Sequence, residues 1–154
     1  MINMESKKIF LGADHAGFEL KEHIKKYLSE NGFEVKDMGA NSFDPEDDYP
    51  DFIAPAAKKV AESPGSRGII FGGSGQGEAI AAYKVNGIRA AVYYGGNMEI
   101  VKLSRTHNDA NVLSLGARFL KKKEAAEAVK LWLGTDFSNE PRHARRIKKI
   151  SKTE

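Results

Sequence analysis

Residues 67–78 read Arg-Gly-Ile-Ile-Phe-Gly-Gly-Ser-Gly-Gln-Gly-Glu, an apolar run that gives way to a glycine-rich loop and then to an acid. The apolar run predicts a buried strand, and residues 79–85 predict a helix directly after the loop. Glycines allow the backbone to approach an anion closely, and the first N–H groups of a helix attract one. The strand, the loop and the helix together therefore predict an anion site.

Strands and helices are predicted in alternation along the rest of the chain. Apolar runs predict strands, and apolar residues spaced three and four apart predict helices. This alternation is typical of an α/β fold in which helices cover both faces of a five-stranded parallel sheet. The predicted strands are residues 8–13, 33–38, 67–71, 87–93 and 111–116, and the predicted helices lie at residues 20–28, 51–62, 79–85, 97–106 and 125–132, with a C-terminal helix from Pro141.

The composition limits the class of protein. Its 154 residues suffice for a hydrophobic core, and we expect a single domain over residues 1–154. Cysteine is absent, which excludes disulfides, thiolate metal sites and a cysteine nucleophile. Because neither a signal peptide nor a membrane-spanning apolar run is recognisable, we expect a soluble, cytoplasmic protein without a membrane partner.

Polar side chains follow three of the predicted strands. Asp14 and His15 follow the first strand, residues 72–78 follow the third, and Arg118 follows the fifth. Parallel strands place their carboxyl ends at one edge of the sheet, where α/β proteins bind their ligands. We therefore expect these groups to face one crevice.

His107 and Asn108 do not fit that crevice, because they precede the fifth strand. A simple topology places them at the opposite edge of the sheet. Either their turn is unusual, or the two residues act in the site of a neighbouring subunit. The second alternative predicts a dimer with shared active sites.

The C-terminal helix is strongly basic, although the whole chain has a formal net charge of only +3. Arg142 and Arg146 share a helix face next to His143, an arrangement that suits phosphate binding. A solvated surface helix is the plain alternative. We do not expect nucleic acid as a partner, because the chain lacks an aromatic or helix-turn-helix reader.

Familiar nucleotide and metal motifs are not matched. Residues 12–17 have the glycine spacing of a P-loop, but the Lys-Ser/Thr pair that should follow is replaced by Phe-Glu. Gly73, Gly75 and Gly77 form G-x-G-x-G, which differs from the dinucleotide fingerprint. The chain contains no His-Glu-x-x-His motif or comparable cluster of metal ligands.

The candidate residues also have structural interpretations, which the sequence leaves open. Glu78 could serve only as a first-turn acid of a helix, and Asp14 only as a helix cap. Residues 107–109 could simply form a turn. As a base, Glu78 needs a pKa suited to proton abstraction, which burial would raise and the helix dipole would lower.

A series of ordered motifs resembles one enzyme family. From Ile9 to about Ile147, the chain is similar to the type B ribose-5-phosphate isomerases, which are grouped with the galactose-6-phosphate isomerase subunits. The motifs that carry the resemblance are residues 12–17, 48–51, 72–77, 80–82, 104–113 and 115–118, and Arg142-His143 with Arg146.

The resemblance implies a Rossmann-like three-layer domain that forms a homodimer or a dimer of dimers. It implies interconversion of ribose 5-phosphate and ribulose 5-phosphate, as in the pentose phosphate pathway, without a metal or an organic cofactor. A six-carbon sugar phosphate, as for galactose-6-phosphate isomerase, is the alternative substrate. A nucleotide-binding regulatory module is the alternative from another class of protein.

The resemblance also implies roles for the matching residues. Glu78 would be the base that moves a proton between C2 and C1 through an enediolate, and His107 of a partner chain would help to open the furanose ring. The glycine loop would hold the developing oxyanion. The implied substrate-binding residues are Asp14, His15, Gly73, Ser74, Gly75, Gln76, Gly77, Asn108, Arg118, Arg142, His143 and Arg146.

The chain departs from the family pattern at two positions. Some relatives place a cysteine at the position of Gly72 and use it as the base, so this chain resembles the branch that uses a glutamate. Tyr83 stands where an asparagine is expected before Lys84.

Overall fold

The computed structural model describes residues 7–154, and strands and helices alternate throughout that range. None of its helices has the length and apolar character needed to cross a membrane. The elements in chain order are β1 (Lys8–Ala13), α1 (His15–Glu30), β2 (Glu34–Asp37), α2 (Pro50–Glu62), β3 (Arg67–Gly72), α3 (Gln76–Tyr83), β4 (Ala90–Tyr93), α4 (Glu99–Thr106), β5 (Val112–Gly116), a 3₁₀ turn (Ala117–Phe119), α5 (Lys122–Leu133) and α6 (Pro141–Ser151).

The five strands form one parallel sheet in the order β2-β1-β3-β5-β4. Strand β3 is central, since Ile69 aligns with Leu11 of β1 on one side and with Leu113 of β5 on the other. The order changes direction between β1 and β3, which opens a ligand crevice outside their carboxyl ends. Because β5 is the other neighbour of β3, the segment after β5 lies beside the glycine loop.

A hydrophobic core covers each face of the sheet. On one face, Ile24 of α1 and Trp132 of α5 belong to a cluster with Phe71 of β3. On the other face, Ile53 of α2 belongs to a cluster with Ile70 of the same strand. Every residue of β3 is buried, as its apolar sequence predicts for a strand covered on both faces. The predicted α/β fold with a five-stranded parallel sheet and a C-terminal helix is confirmed.

The sequence misplaced the ends of several elements, and the shift at α3 bears on the site. This helix was predicted over residues 79–85, but it begins at Gln76 and ends at Tyr83. Gly75 adopts a left-handed conformation with φ of 81°, which turns the chain from the loop directly into the helix. Glu78 therefore lies in the first helical turn. Likewise, β4 begins at Ala90, because Gly87, with φ of 88°, precedes it in a turn.

Candidate active site

The glycine loop, residues 73–75, is fixed by the segment around the neighbouring strand β5. The Ser114 hydroxyl donates to the Gly75 carbonyl oxygen at 2.6 Å, and the Arg118 backbone N–H donates to the Gly73 carbonyl oxygen at 3.1 Å. The first turn of α3 follows this loop at once, and its N–H groups have no partner within the helix. The loop thus brings a helix N-terminus to the crevice without a long connection.

Tyr49 forms a wall opposite the start of α3. A Cβ atom built on Gly77 would come within 2.8 Å of the Tyr49 hydroxyl oxygen, so the aromatic ring lies directly against this glycine. The Ser74 hydroxyl accepts a hydrogen bond from the Gln76 backbone N–H at 3.3 Å. Residues 73–77, which are expected to bind substrate, therefore lie together, and Tyr49 from the segment before α2 packs against Gly77.

Glu78 is buried against the end of β3, with only 4% of its surface exposed. A Cβ atom on Gly72 would lie 1.9 Å from the Glu78 carboxyl carbon, so only glycine leaves room for this side chain. Burial raises the pKa of the Glu78 carboxyl and the charge of Asp14 raises it further, whereas the backbone N–H of Glu78 itself lowers it. Burial therefore outweighs the effect of the helix terminus, and a raised pKa suits a group that takes up a proton.

Asp14 and His15 lie at the start of α1, directly after β1. The Asp14 carboxylate accepts from the Gly17 backbone N–H at 3.1 Å, so its structural interpretation as a helix cap is correct. The ring Nδ1 of His15 lies 2.7 Å from Oδ1 of Asp47, and this hydrogen bond raises the pKa of His15. Asp14 and His15 therefore lie at the same edge of the sheet as the glycine loop, because β1 and β3 are parallel neighbours.

Arg118 completes the group at the carboxyl edge. It lies in the 3₁₀ turn after β5, and a Cβ atom on Gly73 would come within 3.0 Å of its Nη1. Its side chain is exposed, and its positive charge acts on His15. The structure thus places Asp14, His15, residues 73–78 and Arg118 together at the carboxyl edge of the sheet.

A second group of predicted site residues lies at the amino edge of the sheet. The rings of His107 and His143 have their centroids 4.2 Å apart. The Ser138 hydroxyl lies 3.1 Å from His143 Nδ1, and the Ser138 backbone N–H donates to the Thr106 carbonyl oxygen at 3.2 Å. Burial lowers the pKa of His143, and the adjacent His107 lowers it further. These contacts join the end of α4 to the start of α6.

Arg105 stabilises the turn that contains His107 and Asn108. Its buried Nη1 donates to Asp109 Oδ1 at 2.8 Å and to the Ala110 carbonyl oxygen at 2.7 Å. Asp109 has a positive φ of 46°, so the structural interpretation of this segment as a turn is correct. The turn leaves His107 and Asn108 exposed.

Arg118, Arg142 and Arg146 were expected to bind the substrate phosphate together, but they do not lie together within one chain. Arg118 follows β5, whereas Arg142 and Arg146 lie on α6 beside His107, which precedes β5. The two ends of a five-residue strand are separated by about 15 Å. Glu78 lies at the carboxyl edge, near the end of β5, and the second group lies near its start. The length of β5 therefore separates the second group from Glu78 of the same chain.

An apolar groove with a volume of about 650 Å³ borders this second group. Its lining includes the exposed side chains of Tyr83, Ile100, Leu103 and Ile150, from α3, α4 and α6. Asn108 also lines it, so the groove reaches the turn at the amino edge. The unusual Tyr83 thus belongs to an exposed apolar surface and lies outside the crevice.

Within residues 7–154, Asp14, His15 and Asp47 form the group whose spacing could hold a cation. One ligand atom from each lies within 4.8 Å of the others. Two of these residues are engaged with each other, since His15 is hydrogen-bonded to Asp47, and Asp14 caps α1. Hydrogen bonds therefore account for the arrangement of this cluster.

Sequence reasoning assigned no role to Asp47, Tyr49 or Arg105. Asp47 contacts a residue 32 positions away in the chain, and no periodic pattern predicts such a contact. Tyr49 and Arg105 stand in motifs that carry the family resemblance, which was the one available signal. Their contacts with Gly77 and Asp109 show what these motif residues do.

A parallel sheet with a glycine loop and a buried carboxylate at its carboxyl edge defines an α/β enzyme that acts on small anionic substrates. The sequence model of the Ribose/Galactose Isomerase family matches residues 9–150. The chain therefore belongs to the ribose/galactose isomerase family.

Individual relatives agree over nearly the whole chain. Ribose-5-phosphate isomerase B of Mycolicibacterium paratuberculosis is 44% identical over 140 residues, which cover 91% of this chain and 87% of the relative. The structure of ribose-5-phosphate isomerase B from Mycoplasma genitalium with bound ribulose-5-phosphate has a TM-score of 0.91 and 40% identity, covering 96% of each chain. The corresponding enzyme of Clostridium thermocellum has a TM-score of 0.89 and 42% identity, covering 95% of this chain and 96% of the other.

Proposed function

We propose that this chain interconverts ribose 5-phosphate and ribulose 5-phosphate by proton transfer, with Glu78 as the base. The observation that carries the proposal is the buried Glu78 carboxylate, held over Gly72 beside the glycine loop. Its raised pKa brings it nearer to the range in which proton uptake and release are both easy. The relative from Mycoplasma genitalium with bound ribulose-5-phosphate supports this substrate, and the most similar relatives do not favour the six-carbon alternative.

In the proposed reaction, the Glu78 carboxylate takes the proton from C2 of the open-chain aldose. The electron pair of that C–H bond forms the C1–C2 double bond, and the C1 carbonyl oxygen takes up the negative charge of an enediolate. N–H groups of the glycine loop and of the first turn of α3, assisted by Ser74, stabilise that charge. Glu78 then returns the proton to C1, and the O2 proton moves to O1, which gives the ketose without net oxidation.

The remaining site residues bind the substrate in this proposal. Asp14 and His15 contact the sugar or its phosphate at the carboxyl edge. The residues of the amino edge come from a second copy of the chain, where His107 helps to open the furanose ring and Asn108 binds the sugar. The proposed phosphate ligands are Arg118 of one copy and Arg142, His143 and Arg146 of the other.

Two features support a homodimer with shared sites. At the amino edge, the exposed residues are His107, Asn108, Arg142 and Arg146. The strand β5 separates them from Glu78 of their own chain. The apolar groove beside it exposes Ile100 and Ile150, and contiguous apolar surface of this kind marks protein–protein contact. A two-fold axis would repeat the contact and create two identical sites.

The first test is an assay of the purified chain with ribose 5-phosphate in D₂O and a metal chelator. We expect ribulose 5-phosphate to appear and solvent deuterium to enter at C1. Glu78→Gln should abolish turnover, yet leave the thermal shift caused by inorganic phosphate unchanged. The exposed Glu62→Gln is the control and should keep full activity. A near-wild-type rate for Glu78→Gln would refute the base assignment, and turnover of six-carbon sugar phosphates alone would favour the alternative substrate.

Mixing two inactive variants tests whether the sites are shared. One chain carries Glu78→Gln, and the other carries Arg142→Ala with Arg146→Ala. If each site draws on two chains, exchange of subunits should restore about a quarter of the wild-type activity, because half of the dimers are mixed and each has one intact site. Activity no greater than the sum of the separate variants would contradict a shared site.

A further inference from the structure

The segment between β2 and α2, residues 41–49, carries one buried acid that the proposed reaction does not use. The Asp47 side chain is only 7% exposed, although most of its neighbours in this segment are exposed. Its Oδ1 accepts from the His15 backbone N–H at 3.0 Å and lies 2.7 Å from the His15 ring Nδ1. Two contacts with one residue far away in the chain fix both the backbone and the ring of His15.

These contacts decide which nitrogen of His15 faces the crevice. Because Nδ1 is engaged by a carboxylate, it carries a proton, and Nε2 on the opposite side of the ring remains for a ligand. Phe43, from the same segment, packs edge-on against the ring with the centroids 6.3 Å apart. The ring is therefore held between an acid and an aromatic residue, and 27% of its side chain stays exposed.

The charges around His15 favour its protonated form. The hydrogen bond that His15 donates to Asp47 raises the pKa of His15 most, burial opposes it, and the charges of Asp14 and Asp47 raise it again. The positive charge of Arg118 lowers the pKa of His15. A protonated ring presents an Nε2–H donor with a positive charge, which is what an anionic oxygen requires.

The cost of burying Asp47 indicates that it is not present for stability. Its second oxygen, Oδ2, is buried and has no hydrogen-bond partner among the described residues. Burying a carboxylate oxygen without a partner is unfavourable, so an asparagine, whose amide oxygen can still accept from the His15 backbone N–H, would serve the fold as well. Within residues 7–154, both hydrogen bonds of this carboxylate go to His15.

Resting on the proposed function, we propose that Asp47 is a positioning residue that fixes the ring of His15, so that Nε2–H donates to the anionic sugar phosphate. Asp47 itself does not touch the substrate. Its role resembles that of a carboxylate which orients a catalytic imidazole, except that the ring here binds and does not transfer a proton.

The test begins with the free protein, where no turnover is needed. Asp47→Asn keeps the shape and an acceptor oxygen but removes the charge, so the NMR titration of the His15 ring should move to lower pH. Asp44→Asn is the matched control, since this exposed acid of the same segment accepts from the Glu46 backbone N–H and should leave the titration unchanged. An unchanged His15 titration in Asp47→Asn would overturn the inference.

Kinetics then separate positioning from a merely structural role. Asp47→Asn should raise KM for ribose 5-phosphate about tenfold at pH 8, with a smaller rise at pH 6 and little change in kcat. In a His15→Gln background the same substitution should have no further effect, because it acts through His15. Independent, additive losses in the two backgrounds would overturn the inference. An inactive wild-type chain would refute the proposed function, whereas the NMR titration would still decide whether Asp47 controls His15.

Discussion

The two edges of the parallel sheet are built in opposite ways. At the carboxyl edge, Glu78 is buried and the glycine loop is fixed by Ser114. At the amino edge, Arg142 and Arg146 extend from α6 into solvent. A group whose position is fixed before the substrate arrives can stabilise a transition state without reorganisation. A group that is exposed and basic is suited to bind something that approaches from outside.

This difference is what the proposed dimer with shared sites requires, since each chain would then supply half of two sites. Among the described residues, the carboxyl edge has the buried Glu78 carboxylate and the glycine loop, with Arg118 beside them. The amino edge has a basic pair and two histidines, but no buried carboxylate among them. The buried carboxylate lies at one edge and the basic pair at the other, so substitutions can alter the two edges separately.

The largest effect is expected from Gly72→Ala at the carboxyl edge. The new Cβ would meet the Glu78 carboxyl group, so the base must move by about 1 Å or more, which costs roughly 100-fold in kcat. The substitution should also lower the free energy of unfolding, and this loss should shrink in a Glu78→Ala background, where the clash is gone. Kinetics and denaturant unfolding of the wild type and the three variants measure both effects, and equal destabilisation in the two backgrounds would contradict the contact between Gly72 and Glu78.

Arg142→Ala should produce the next largest effect, at the amino edge. Loss of a charge-assisted hydrogen bond to phosphate should lower kcat/KM by about 10- to 100-fold, mainly through KM. Lys148→Ala is the control, because this exposed cation lies on the same helix but on another face. If both variants lose activity equally, the helix acts only through its general positive charge.

Ile100→Asp tests the apolar groove that borders the amino edge. A charge placed on this exposed apolar surface should weaken association between copies by at least about tenfold, and activity should then fall on dilution. Light scattering and assays over a range of protein concentrations measure this. Lys58→Asp, on the exposed face of α2, should leave the mass unchanged. A wild-type chain that is monomeric at all concentrations would show that the edges do not meet.

The smallest effect is a pH-dependent gain in stability for Glu78→Gln. Because the folded state raises the pKa of Glu78, it holds the proton more tightly than the unfolded state does. Stability therefore falls as the pH rises from the unfolded pKa through the folded one, and ionised Glu78 is unfavourable above that window. Glu78→Gln should melt at a higher temperature than the wild type at pH 8, and the difference should vanish at pH 4. A constant difference across this range would contradict the raised pKa.

The sequence predicts the carboxyl edge well because short-range rules determine it. An apolar run followed by glycines and an acid specifies a strand, a loop and a helix within residues 67–83. The rule that ligands bind at the carboxyl ends of parallel strands then places Asp14 and Arg118 beside the loop. Both of these steps use only residues that are adjacent in the chain or that follow a strand.

Contacts between distant segments could not be predicted in this way. The position of β5 next to β3, the stacking of His107 on His143 and the bond between Asp47 and His15 each depend on tertiary packing. The pKa of Glu78 is a further example, because burial and the helix terminus act in opposite directions and only the folded structure shows which prevails.

The contact between Gly72 and Glu78 also has a consequence for how such sequences vary. The two positions share one volume, since a Cβ on the first would overlap the carboxyl group of the second. In any chain with this backbone, a side chain at position 72 therefore excludes a carboxylate at position 78, and the two positions should change together. Paired substitution at these sites would identify, from sequence alone, which of the two positions of a relative fills the shared volume.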